Sequence, residues 1–274
     1  MQSHWFTPST GRLILYFFLL ECKEVEMSKG LFIVVEGADF AGKTTFVKQL
    51  KDVLGMQDFS SVLFRSPGGM EGGEAIRELL VNTPLSEEVR TLIFSANRVD
   101  STQKIINPLT KKGINVIGTR WRWSSNVYQD NQKVADYIDA EMGVAVPDIY
   151  ILLECSDEAY VLASKAREKE ELQEDYQIDL MDEEYTRNYE LTKERFNAEY
   201  EAYKGVKFKF IYNQGKPKPP TDDEFIELVK PFLSEIGYFE EKVSLGRGLT
   251  HNAIVIDDAG FEPVDESLLP QPRV

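Results

Sequence analysis

Short apolar runs alternate with longer stretches of helical spacing along most of the chain. Leu31-Phe32-Ile33-Val34-Val35 is a continuous run rich in β-branched residues, the pattern of a strand buried on both faces. From Thr44 onward, Phe46, Val47, Leu50, Val53 and Leu54 recur at helical spacing. Ser61-Val62-Leu63-Phe64 predicts a second strand, closed by Pro67-Gly68-Gly69. Residues 74–81 predict a helix. A long helical stretch follows from Ser86 to Lys112, with a break expected near Pro108. Ile114–Ile117 predicts a third strand, and residues 126–142 one helix. Pro147 opens a fourth strand, Ile149–Leu153. Two charged helices over 158–170 and 182–203 lead to a fifth strand, Phe208–Tyr212. A final helix, Asp222–Ile236, takes Thr221 as its N-cap. Strands alternating with helices predict an α/β fold, a five-stranded parallel sheet with helices on both faces. In such sheets ligands bind at the carboxyl ends of the strands.

The two ends of the chain depart from this pattern. Leu13–Leu20 is an apolar run of eight, short of the ~20 residues that span a bilayer. Arg12 before it is compatible with a signal-peptide core, but no small-residue cleavage site follows. Residues 1–26 therefore read as an extension outside the core, with Met27 as a second candidate start. The core domain is expected over 27–237. Residues 238–274 lose the helical period and read as an appended tail.

Composition narrows the partners. The chain has 274 residues, 42% hydrophobic and 28% charged, with a formal net charge of -15. That balance argues against nonspecific binding to nucleic acid or an anionic membrane. A few focused Arg and Lys side chains still suffice for a small anion. Cys22 and Cys155 are the only cysteines, without metal-ligand spacing. This reads as a reducing compartment, hence a cytoplasmic protein, without structural zinc. His4 and His251 lie near the ends, so a His-centred triad is not expected.

The first strand runs straight into Gly37-Ala38-Asp39-Phe40-Ala41-Gly42-Lys43-Thr44, which matches the phosphate-loop pattern G-x-x-x-x-G-K-[ST]. The alternative is a glycine-rich turn that fits by accident. The order strand, loop, helix favours the phosphate loop. Gly37 and Gly42 permit the tight path that turns backbone N–H groups inward. Lys43 supplies charge for the β and γ phosphates of a nucleotide. The Thr44 hydroxyl is the expected Mg²⁺ ligand, and the helix presents its positive end through Thr44 and Thr45. The implied ligand is ATP with Mg²⁺, in a P-loop NTPase fold. Such a loop alone names no reaction.

Four further segments carry a resemblance: Arg65-Ser66-Pro67-Gly68-Gly69, Gly73-Glu74-Ala75-Ile76-Arg77, Leu92-Ile93-Phe94-Ser95-Ala96-Asn97-Arg98, and Ser124-Ser125-Asn126-Val127-Tyr128-Gln129. In order and spacing over about residues 30–236 the chain resembles the thymidylate kinase family. The resemblance implies transfer of phosphate from ATP to dTMP, giving dTDP and ADP. Physically, Arg65 and Arg120 stand at strand ends facing the crevice, where two guanidinium groups can clamp a monophosphate. The alternative is a pair of surface salt bridges. Phe94 and Arg98 lie four apart on one helix face, fit to stack a base and donate to its carbonyl. Phe94 taken alone reads as core.

By resemblance, Arg65 and Arg120 hold the acceptor phosphate, and Phe94 and Arg98 hold the thymine. Tyr128 crowds the sugar in favour of a deoxy acceptor, Gln129 lies beside the base, and Asp39 contacts the 3′-hydroxyl. Lys43, Arg120 and a lid arginine form the expected catalytic set. With Phe40 and Ala41 inside the loop there is no arginine there. Arg167 is then the lid candidate and Lys169 the second, against the plainer reading of a solvated charged helix. Homodimers packed through helices are implied as well.

Two departures stand out. Thr119 occupies the place of the family's usual aspartate, and Ser66 that of a frequent glutamate. They keep open a kinase for another deoxynucleoside monophosphate, or a nucleotide-binding regulator that has lost transfer.

Overall fold

The computed structural model describes residues 29–56, 59–68, 71–129, 131–162, 165, 189–215 and 218–238. Five strands form one sheet: β1 (Phe32–Glu36), β2 (Ser61–Arg65), β3 (Asn115–Thr119), β4 (Ile149–Cys155) and β5 (Val206–Asn213). Their order is β2-β3-β1-β4-β5, and every pairing is parallel. The helices are α1 (Lys43–Gly55), α2 (Glu71–Asn82), α3 (Glu87–Ser101), α4 (Asn107–Lys111), α5 (Arg122–Tyr128), α6 (Gln132–Glu141), α7 (Tyr189–Ala202) and α8 (Asp222–Glu235). Residues 157–162 are also helical.

Every residue of β1 is buried, as expected of a central strand covered on both faces. One face meets α1 and α8: Phe46 of α1 packs on Phe210, Tyr212 and Phe225, and Phe208 meets Phe232. The other face meets α5 and α7. There Phe32 packs edge-on to Trp121, Trp123 stacks on Tyr150 at 4.1 Å, and Lys207 and Lys209 lie over Tyr200. β5 is the half-exposed edge, and its two lysines discourage pairing with another chain.

Three expectations from the sequence change. The stretch from Glu87 to Lys111 does not break at Pro108 but changes register before it. Thr102–Ile106 is a π-helical turn in which Asn107 N–H donates to the Thr102 carbonyl. Proline has no N–H to give, and the wider turn absorbs that loss. The single helix expected over 126–142 is two helices. Gln129 is extended (φ -133, ψ 143), which turns the chain between α5 and α6. Strands β3 and β4 also run further toward their carboxyl ends than the apolar runs suggest, through Thr119 and Cys155. The final helix begins as expected, with a capping box between Thr221 and Glu224. Most of the charged segment over 158–170, the start of the one over 182–203, residues 1–26 and residues 239–274 lie outside the described residues.

Candidate active site

The loop between β1 and α1 is shaped by two glycines. Gly37 has φ 144, and a Cβ there would sit 2.2 Å from the Leu153 carbonyl oxygen. Gly42 has φ 85, with the Tyr212 ring 2.8 Å from where its Cβ would be. Any side chain at either position would push the loop off the sheet. Gly42 is also the N-cap of α1 and offers no side chain to the helix's first N–H groups. Those donors, together with the helix dipole, make an anion site. The Lys43 ammonium donates to the carbonyls of Gly37 (3.0 Å) and Ala38 (2.8 Å) and lies 3.8 Å from Asp39. Ala41 packs in the core, while the side chains of Thr44 and Thr45 are exposed. Phe40 has φ 64. For a residue with a Cβ that left-handed conformation costs about 1–2 kcal/mol. Its carbonyl accepts a hydrogen bond from Asn213 Nδ2 at 2.8 Å.

Across the crevice, Arg65 closes β2 and Arg120 follows β3. Arg65 donates to Glu74 on α2 at 2.9 Å. Arg120, in a left-handed conformation (φ 61), is paired with Asp39 and lies 5.3 Å from the centre of the Tyr128 ring. Asp39 thus stands between the loop lysine and the arginine of the opposite wall. Glu36, the last residue of β1, is fully buried and organises that wall. Its carboxylate accepts from the backbone N–H of Trp121 (2.7 Å) and Ser124 (3.1 Å) and from the Ser124 hydroxyl (2.5 Å). Burial raises its pKa, against those three bonds. Thr119 offers no carboxylate at the end of β3. Its carbonyl accepts from Ser66 N–H at 3.1 Å, which ties β2 to β3 beside Arg65.

The Phe94–Arg98 pair is arranged differently from a simple base clamp. Phe94 is half-buried, whereas Arg98 is 1% exposed. Arg98 makes a two-pronged pair with Asp139 (2.9 and 3.1 Å) and donates to Ser125 (2.6 Å) and Ser95 (2.9 Å). It therefore knits α3, α5 and α6 together. Gln129 is buried, and its Oε1 has no hydrogen-bond partner among the described residues. The same holds for Oδ1 of Asn97, whose Nδ2 donates to Ser66. Buried orphan acceptors of this kind call for an incoming donor. Arg167 and Lys169 lie outside the described residues.

Sequence reasoning missed a cleft of about 380 Å³ beside the loop, lined by Gly42, Thr45, Tyr212, Asn213, Lys218 and Pro219 among others. Its position at the carboxyl end of β5 was the available signal. It also missed Glu74 and Asp139, partners that no local spacing reveals. Among the described residues no cluster of three His, Cys, Asp or Glu side chains could hold a metal, and no helix is long and apolar enough to cross a membrane.

A parallel sheet in the order β2-β3-β1-β4-β5, with a phosphate loop at its centre, defines a P-loop α/β protein. A family model described as thymidylate kinase matches residues 35–207, and the chain belongs to the thymidylate kinase family. Thymidylate kinase of Francisella tularensis subsp. novicida is 32% identical over 133 residues, which cover 45% of this chain and 64% of that protein. The protein of the same name from Neorickettsia sennetsu is 34% identical over 129 residues, 45% of this chain and 65% of that one. The one from Jannaschia sp. is 36% identical over 149 residues, 52% and 72%. The chain thus spans a little under two thirds of the Francisella and Neorickettsia relatives. A crystal structure of thymidylate kinase from Ehrlichia chaffeensis shares the fold, with a TM-score of 0.53 at 22% identity, over 74% of this chain and 99% of that one.

Proposed function

We propose that the protein transfers the γ-phosphate of ATP to dTMP, giving ADP and dTDP. One observation carries this reading: Lys43 on the donor side and Arg120 on the acceptor side meet at a single carboxylate, Asp39. Two phosphate groups brought to those cations would approach each other across Asp39. On this reading the uncapped start of α1 and Lys43 hold the ATP phosphates, and the cleft at Tyr212 and Lys218 takes the adenine. Arg120 and Arg65 grip the dTMP phosphate. Phe94 and Gln129 face the base, and Tyr128 lies under the sugar. An acceptor phosphate oxygen bonds to the γ-phosphorus as the bond to the β–γ bridging oxygen breaks. Little covalent help is needed beyond alignment and positive charge. Arg167, with Lys169 as second choice, supplies a further cation.

The residues fit Mg²⁺ only as a lightly held ion. The exposed Thr44 hydroxyl would contribute one ligand, with the remaining ligands coming from phosphate oxygens and water. The ion would offset phosphate charge during transfer.

A homodimer is part of the proposal. Val89, Leu92 and Ala96 of α3 are exposed at spacings that put them on one helix face, opposite buried Thr91, Ser95 and Arg98. The cytoplasm is its proposed compartment.

Incubation with ATP, Mg²⁺ and each of dTMP, dUMP, dCMP, dGMP and dAMP should give ADP fastest with dTMP. Thr119, where a carboxylate would support the metal, favours a second reading: a nucleotide-binding regulator without transfer. Intact ATP binding with no ADP from any acceptor would establish that alternative.

A further inference from the structure

We propose that Phe40 is a positioning residue, whose ring braces the phosphate loop against two neighbouring elements through Tyr160 and Tyr189. Three observations converge on it. First, Phe40 holds a left-handed conformation (φ 64) that glycine enters freely and an aromatic residue does not. An outlier of this kind persists where the surroundings over-determine it. Second, those surroundings are present. Asn213 Nδ2 grips the Phe40 carbonyl at 2.8 Å, and the same Asn213 accepts from Gly215 N–H at 3.1 Å. The backbone of the loop is thereby tied to the end of β5. Third, the ring meets Tyr160 edge-on at 5.8 Å between centres, with planes 66° apart. Tyr160 in turn stacks on Tyr189 at 3.9 Å and 16°. Tyr189 is anchored by donating its hydroxyl to the Cys155 carbonyl at 3.2 Å, with Cys155 Sγ at 3.0 Å.

The three rings therefore run from the loop to the helical turn over 157–162 and on to the start of α7, with the end of β4 beneath. Such aromatic pairs hold geometry as well as burying area. A loop that binds phosphate with backbone N–H groups depends on where those groups point, and a brace at its crown fixes their direction before the nucleotide arrives. The inference rests on the reading of the loop as a nucleotide-phosphate site, but not on the identity of the acceptor.

The test is direct titration of ATP with Mg²⁺ into the wild type, Phe40→Gly, Tyr160→Leu, Tyr160→Phe and the double variant Phe40→Gly/Tyr160→Leu, with melting temperatures recorded alongside. Phe40→Gly keeps the backbone conformation at ease and removes only the ring. It and Tyr160→Leu should each weaken ATP binding roughly three- to tenfold, the worth of one aromatic pair. The double variant should be no weaker than the worse single, because both break one chain of contacts. Tyr160→Phe keeps the ring and should bind ATP like the wild type. Lower melting temperatures with unchanged ATP affinity would overturn the proposal, leaving the rings as packing alone. Equal loss in Tyr160→Phe and Tyr160→Leu would also overturn it, by placing the effect on the hydroxyl. A wild type that fails to bind ATP would instead remove the reading of the loop itself.

Discussion

At the scale of single residues, two buried ionisable side chains do the organising. Glu36 is fully buried, and its pKa is raised above the ordinary 4.5. As pH climbs from 4.5, the unfolded carboxyl ionises first while the folded one keeps its proton. Stability attributable to Glu36 is therefore greatest in acid and falls as pH rises through the folded value. Glu36→Gln removes that slope. The stability of wild type relative to this variant, from urea midpoints, should decline as pH rises above 4.5. A difference that does not change with pH would mean Glu36 titrates as it does in water. Arg98 is the second case. Arg98→Ala strands the Asp139 carboxylate, with Arg122 left 3.6 Å away. Loss of one partner of a buried pair costs about 3–5 kcal/mol, so unfolding in urea should shift by that amount. Arg98→Lys keeps the charge and should fold, with a raised KM for dTMP and an unchanged KM for ATP. Equal changes in both would leave Arg98 as a structural tie between helices, without a role toward the proposed base site.

At the scale of elements, caps and register changes separate what local pattern reveals from what it hides. The capping box at Thr221 is written in adjacent residues, and the spacing Thr221–Glu224 announces it. Thr221→Ala should cost about 1 kcal/mol, about 2–4 °C in melting temperature, and leave both KM values alone. A larger loss would imply that α8 is held by its cap rather than by Phe225, Val229, Phe232 and Leu233. The strands and the phosphate loop were legible for the same reason: apolar runs and glycines act locally. The π turn at Thr102–Ile106 was not, because Pro108 announces a fault in hydrogen bonding without saying how the helix resolves it. The split between α5 and α6 was hidden too, since helical spacing continues through Gln129 although its backbone is extended. Asp130-Asn131 was the turn signal there. The candidate site was readable as a set of cations and rings. Its pairings were not, because Arg98 with Asp139 and Arg120 with Asp39 join residues 41 and 81 positions apart.

At the scale of the whole molecule, the apolar face of α3 is the surface to test. Leu92 is 48% exposed in the middle of it. Leu92→Glu should convert a dimer to a monomer in sedimentation or light scattering, with the fold intact. A wild type already monomeric at micromolar concentration would dismiss the proposed pairing. The order of the sheet has a consequence for how the chain is made. β1 carries the phosphate loop, yet its neighbours are β3 and β4. Leu31 bonds to Asn115 and Phe32 to Asp148, 84 and 116 residues further on. At about 5–20 residues per second, a ribosome needs roughly 6 to 23 seconds to reach Asp148 after Phe32. Until β3 is made, 84 residues after Leu31, β1 has no strand beside it, and its other edge stays open until β4 follows Asp148. The phosphate loop is thus among the first parts synthesised, yet the strands on either side of β1 are both present only after more than half of the chain has been translated.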